Sequence, residues 1–173
     1  MIRRRLAPGL LFVGVLMVVI TAFESHHEAR QTWVRFWLVD AEELGAFARG
    51  AQVGREDLLL AERVSRVAKR EDVAYVLILD PTGRALIHGN PAEAGKRYES
   101  EYARNALEAK STLVQEIPAI GVTEVDVPLE SGVLRVGYTF RPMAPFSRAL
   151  LAGTLLSCAV LAAAGLLLLR GGW

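Results

Sequence analysis

Between positions 84 and 98 the chain sets Arg84, His88, Lys96, Arg97 and Tyr98 within fifteen residues. An arginine presents a planar fork of donors that suits a carboxylate or a phosphate. A histidine donates or accepts and changes its charge near neutral pH. The set is therefore of the kind that holds a small anionic or polar solute. Strand alternation over residues 84–88 puts Arg84, Leu86 and His88 on one face, with Lys96, Arg97 and Tyr98 in a loop able to fold over it. The plainer reading is that Arg84 and His88 lie solvated on a strand edge, and both readings stand at this point. Tyr75 and Tyr138 suit a pocket wall and suit a core equally well. Arg135 sits in an apolar stretch, and Glu124 and Asp126 belong to the stretch before it, so a cross-strand ion pair is expected.

Catalysis is not expected. The serines lack a nucleophile-elbow setting, and the three histidines form no His-x-x-x-His or His-Glu-x-x-His pair. His26 and His27 are adjacent, so on a helix they face different sides and make a poor metal pair. No glycine loop of the phosphate-binding type is present, and neither a metal nor a cofactor is implied. A single cysteine, Cys158, leaves no intramolecular disulfide, and its apolar surroundings mark it as a small hydrophobe. With a net charge of +1 there is no overall basic field for nucleic acid.

The donors need a scaffold, and the strongest signal for one is residues 73–96. Tyr75, Val76, Leu77, Ile78 and Leu79 form an apolar run of strand length, rich enough to be buried on both faces. Asp80-Pro81-Thr82-Gly83 then reads as a tight turn, with Pro81 presetting the second position and Gly83 free to take the closing angles. Residues 84–88 return as a strand, and the glycines and proline of 89–98 make a loop. Before this hairpin, residues 24–49 read as a helix with Trp33, Phe36, Trp37, Leu44 and Phe47 on an inward stripe. Gly50 and Gly54 bracket a break. Residues 55–70 read as a second helix carrying Leu59, Leu60, Val64 and Val67. After the hairpin, 99–110 suit a short helix with Tyr102, Ala103, Ala106 and Leu107 inward. Strands follow at 112–117, at 122–129 and at 133–140. The middle one alternates Val125, Val127 and Leu129 against Glu124 and Asp126, and so reads as half-exposed. The fold class is α+β, with about five mostly antiparallel strands and helices on one side.

The apolar excess lies at the two ends. Residues 6–23 are 18 positions without a charge behind Arg3-Arg4-Arg5, and residues 149–169 are 21 more before Arg170. A spanning helix needs about 20 predominantly apolar residues. Two membrane helices are therefore expected, at 6–23 and at 146–169, with Pro145 in the first turn of the second. The first run is expected to stay uncleaved, since its end offers no Ala-x-Ala site. The four arginines beyond the outer ends belong on the cytoplasmic side. With 20 basic and 19 acidic residues in all, setting those four aside leaves −3 for the rest of the chain. Residues 24–142 are thus expected as one extracytoplasmic domain of a two-pass inner-membrane protein.

The hydrophobic strand closing in Asp80-x-x-Gly83, then Arg84-Ala-Leu-Ile-His88-Gly-Asn90-Pro91 and Gly95-Lys96, resembles the Cache group of extracytoplasmic sensor domains. Val133-Leu-Arg-Val-Gly137-Tyr resembles the group's closing strand, and the framing by two membrane helices is typical of it. The resemblance implies a PAS-like sheet with long N-terminal helices. It also implies a bacterial signal-transduction setting, with a kinase, a cyclase or a chemoreceptor as the partner that carries the output. In the citrate and dicarboxylate sensors of the group this hairpin holds a Gly-x-Arg…His-Pro segment; here Arg84 and His88 are four apart and Gly89 follows. The expected function is sensing of a small solute, with Arg84, His88, Lys96, Arg97, Tyr75 and Tyr98 as ligand contacts. The signal would pass through the membrane helices to a separate protein or to an output domain of a longer chain. A homodimer through the Trp33, Phe36, Trp37 stripe is expected as well. The competing expectation is an assembly protein that uses this stripe to bind another protein.

Overall fold

The structure, a computed structural model, describes the backbone of residues 2–51 and 58–170 and the side chains of residues 12–51 and 58–167. Helix α1 (Ile2–Gly50) is followed by α2 (Leu58–Val67), β1 (Val73–Leu79), β2 (Ala85–His88), α3 (Glu101–Glu108), β3 (Leu113–Ile117), β4 (Val122–Leu129), β5 (Gly132–Thr139) and α4 (Ala144–Arg170). The chain divides into two compact units: Trp33–Pro142, and the N-terminal part of α1 together with α4.

In the first of these units five antiparallel strands lie in the order β2-β1-β5-β4-β3. The α+β class and the five-stranded sheet therefore match the expectation. Strand β1 is buried on both faces, as its run of apolar residues requires. Val76 and Ile78 join one core with Ile87, Val125, Val127, Leu134 and Val136, covered by Trp37, Ala41, Leu44 and Ala48 of α1 and by Leu60 and Val64 of α2. Leu77 and Leu79 join a second, smaller core with Ala85, Val133, and Ala103 and Ala106 of α3. Helix α3 starts where Ser100 accepts a hydrogen bond from the N–H of Ala103, 3.2 Å away.

The inward line of α1 keeps Trp37 and Leu44 of the expected stripe, with Trp33 and Phe47 packed against the same core, but it also runs through Ala41 and Ala48 and leaves Phe36 53% exposed. Small residues decide this. A Cβ on Gly45 would come within 2.6 Å of Val127 Cγ1, so the helix approaches the sheet where bulk is missing. Of the second expected helix, residues 58–67 are helical, residues 52–57 lie outside the described set, and Leu59 points outward. Strand β4 corrects a further expectation. It is not half-exposed: Glu124 and Asp126 are both 0% exposed, because the side chains of β1, β3 and β5 close over them.

In the other unit a Cβ on Gly14 of α1 would lie 3.6 Å from Leu161 Cδ1 of α4, and His26 Nε2 is 3.3 Å from the Ser147 hydroxyl. Among the described residues one helical stretch, Arg141–Leu167, is long and apolar enough to cross a membrane, its most apolar 18-residue window having a mean hydropathy of 2.2. The other expected span, residues 6–23, falls within α1, and the side chains of residues 6–11 lie outside the described set.

Candidate functional site

The turn before β2 is built by one carboxylate. Asp80 Oδ1 accepts from the N–H of Thr82 at 2.8 Å, the Thr82 hydroxyl at 2.6 Å and the N–H of Arg84 at 3.0 Å. These bonds, the Thr82 hydroxyl above all, hold its carboxyl below the ordinary value. Gly83 has φ +80, and a Cβ there would meet the carbonyl oxygen of Tyr98 at 2.8 Å, so glycine is needed twice over.

Strand β2 does not keep simple alternation. Ile78 pairs with Ile87 and Leu79 with Ala85, so Leu86 is an extra residue, a bulge. Leu86 and Ile87 both pack toward the helix-covered core of α1 and α2, while Ala85 belongs to the α3 side. Arg84, Leu86 and His88 therefore do not share a face. His88, paired with Leu77, lies in the α3-side row. Its Nδ1 accepts from the N–H of Asn90 at 2.8 Å, and its ring stacks on Tyr98 with centroids 6.2 Å apart. Burial lowers its pKa, and Glu93 only partly offsets that.

The remaining loop donors are distributed. Lys96 Nζ is 2.7 Å from Glu93 Oε1, and the Tyr98 hydroxyl is 3.5 Å from Glu93 Oε2. Glu93 thus joins Lys96 and Tyr98 and acts on His88 through its charge, and no sequence signal marked it. Its hydrogen bond to Lys96 lowers its own pKa and raises that of Lys96. Arg84 donates through Nε to the carbonyl of Gly95 at 3.0 Å, and Arg97 donates to the carbonyl of Thr82 at 3.1 Å. The backbones of Arg84 and Arg97 form a bridge, which ties the loop to the hairpin.

Tyr75 belongs to a different constellation on the α3 side of the sheet. Register places Tyr75, Gly137, Glu124 and Gln115 in one row, and Leu77, Arg135, Asp126 and Leu113 in the next. The absence of a side chain at Gly137 lets the Tyr75 ring lie across β5; a Cβ there would meet the ring at 2.6 Å. The Tyr75 hydroxyl donates to Glu124 Oε2. Arg135 Nη2 donates to Glu124 Oε1 at 2.5 Å, and its Nε donates to Asp126 Oδ1 at 3.3 Å. Gln115 Nε2 donates to Asp126 Oδ2 at 2.7 Å and to the carbonyl of Tyr102 in α3 at 3.2 Å. The expected cross-strand pairing of Arg135 is thus present, but buried and shared by two carboxylates. Burial raises the Tyr75 hydroxyl well above its ordinary range, and the neighbouring Glu124 charge adds to that. Burial and the Glu124 charge likewise push Asp126 up to about 7.

A third network holds the opposite face. Arg70 contacts both oxygens of Asp40 at 2.8 and 2.9 Å and both of Asp72 at 3.0 and 2.7 Å. Trp37 Nε1 donates to Asp72 at 3.2 Å and the Tyr138 hydroxyl to Asp40 at 2.8 Å. Tyr138 stacks on Trp37 at 5.0 Å, so this candidate wall residue serves the core.

Among the described residues no three His, Cys, Asp or Glu side chains converge to hold a metal ion. No family model matches the chain, and a search of curated proteins finds no match either.

Proposed function

We propose that Trp33–Pro142 is a PAS-like extracytoplasmic sensing domain of the Cache type, anchored by two membrane helices. A small anionic or polar solute binds at the hairpin and loop end of the sheet, and the change is relayed through the membrane helices to a signalling partner or output domain. The observation that carries this reading is the way residues 89–98 fold back on the hairpin. The Arg84–Arg97 bridge and the bond from Gly95 N–H to the carbonyl of Ala85 at 2.8 Å hold Arg84, His88, Lys96 and Arg97 on one connected loop. Three of these carry exposed cationic groups, Arg84, Lys96 and Arg97, which suits an anion arriving from solvent. The relay has a short covalent route: β5 ends at Thr139 and α4 begins at Ala144, with four residues between them. Relay requires only that the solute prefer one of two states of the domain, by a few kcal/mol.

The test is isothermal titration of the full chain in nanodiscs against pools of carboxylates, phosphates and neutral polar metabolites. Saturable binding that weakens at least about tenfold in Arg84→Ala and His88→Ala supports the reading. No binder in any pool, together with unaltered signalling in both variants, defeats it. A second reading, an assembly surface for another protein, is favoured by Phe36, which stands exposed on α1 while Trp37 is fully buried. Crosslinking in cells that recovers a heterologous partner, lost on Phe36→Ala, would select that reading.

A further inference from the structure

Glu124 and Asp126 are both fully buried, and Arg135 is the cation that both of them contact. The guanidinium is committed unequally, at 2.5 Å to Glu124 but at 3.3 Å to Asp126. The closest partner of Asp126 is the uncharged amide of Gln115, at 2.7 Å. Two ionised carboxylates on one cation would leave a net negative charge out of water, which costs several kcal/mol unless a proton joins them.

Among the described residues the neighbours on each side supply no second cation bonded to the pair. Strand β1 contributes Tyr75, whose hydroxyl donates a hydrogen bond to Glu124, and β3 contributes the neutral Gln115. From β2 and its loop come His88 and Tyr98, with Glu93 and Lys96 bonded to each other. Helix α3 reaches the cluster through the Tyr102 carbonyl and through the neutral Asn105, which is 3.3 Å from Gln115 Oε1. Its charged residues Glu101, Arg104 and Glu108 are exposed.

We propose that Glu124, Asp126 and Arg135 form a proton-operated latch, in which one proton on the carboxylate pair holds β3 and α3 against the sheet and its loss frees that corner. The corner is suited to move. Strand β3 is an edge strand that pairs with β4 alone, and the same Gln115 amide bonds both Asp126 and α3. Ionising Asp126 strengthens its bond from the Gln115 amide but leaves two buried carboxylates on the one Arg135 guanidinium, and opening of this corner to water relieves that excess charge. The raised pKa of Asp126, about 7, sets the range in which the latch works, and it is fully closed only well below that. The latch needs no bound solute, so it stands apart from the sensing reading.

Hydrogen exchange of the full chain in nanodiscs, corrected for intrinsic rates, tests it at about pH 5.5 and about pH 8.5. A carboxyl that titrates at about 7 when folded predicts roughly thirtyfold less protection over residues 101–117 at the higher pH. Asp126→Asn should abolish that difference, whereas His88→Asn should leave it in place. Infrared difference spectra of the unaltered protein give a measurement that needs no variant: a protonated carboxyl C=O band should vanish between the two pH values. Equal protection at both pH values, a difference that persists in Asp126→Asn or disappears in His88→Asn, or a spectrum without a titrating carboxyl band, overturns the latch.

Discussion

Arg135 is the residue on which the buried charges balance, so its removal is the most informative single change. With methionine in its place Glu124 and Asp126 stay buried with no cation. Breaking a buried pair in this way costs about 3–5 kcal/mol. We expect Arg135→Met to lower stability by that amount in urea denaturation, and by less under acidic conditions, where protons replace the lost cation. Tyr75→Phe removes one hydrogen bond to a charged acceptor and should cost about 1.5–3 kcal/mol. Gly137 is the third probe. A Cβ there would come within 2.6 Å of the Tyr75 ring, so Gly137→Ala must push the ring off β5 and away from Glu124. Its cost of about 1–3 kcal/mol should largely vanish in a Tyr75→Ala background, which a double-mutant cycle measures. An additive cycle would mean that the ring and the glycine do not depend on each other. This part of the site was half legible in the sequence. Glu124 and Asp126 alternate with valines, the pattern of a strand wet on one side, and alternation cannot report that neighbouring side chains and α3 close over the acidic face. Arg135 in an apolar strand was the clue, and the glycine two residues later was its companion.

At the scale of elements, the fold was read well wherever apolar runs and turn residues agreed. Asp80–Gly83 and the doubly buried β1 follow directly from residue types. The bulge at Leu86 was not legible, because an extra residue leaves no mark in a four-residue strand. It overturned the shared face assigned to Arg84, Leu86 and His88. The α1 stripe was legible except at Phe36, but its large aromatics do not report that Ala41, Gly45 and Ala48 decide how closely the helix lies. Trp37 stacks on Tyr138, contacts Phe140 at 4.6 Å between ring centroids and bonds Asp72, so Trp37→Ala should cost about 3–5 kcal/mol. Phe36→Ala, at an exposed position, should fall within about 1 kcal/mol of the parent. The two charge networks also give opposite pH dependences. Burial would raise Asp72, but Arg70 and Trp37 outweigh it and hold it below the ordinary 3.8. Its contribution is therefore present above that value and lost as pH falls through the lowered one. Asp126, raised to about 7, contributes fully below the ordinary 3.8 and loses its contribution as pH rises through about 7. The melting temperature plotted against pH should decline on both sides, and Asp126→Asn should flatten only the alkaline side. A curve that keeps its alkaline decline in that variant would assign the decline to another group.

For the whole molecule, the decisive question is what surrounds α4. Leu151, Leu155, Leu156, Val160, Leu166 and Leu167 are all exposed on it, an apolar surface that water would not tolerate at this density. Its hydroxyls do not contradict a lipid setting. Thr154 donates to the carbonyl of Leu150 at 2.8 Å and Ser157 to that of Gly153 at 2.9 Å, so neither is left unpaired in hydrocarbon. The 27 residues of Arg141–Leu167 span about 40 Å as a helix, more than the roughly 30 Å hydrocarbon core of a bilayer. Val160 is exposed near the middle of the uncharged run, where an arginine costs about 2.5–3.5 kcal/mol to insert. Val160→Arg should therefore shift a substantial fraction of the protein into the soluble fraction on alkaline extraction, or shift this segment out of the membrane in glycosylation mapping. Glu130→Arg, a charge change on the exposed end of the hairpin between β4 and β5, should do neither. If Val160→Arg inserts as well as the parent chain does, α4 is covered by protein rather than by lipid. The relay proposed for β5 would then have to end in a partner helix instead of a membrane.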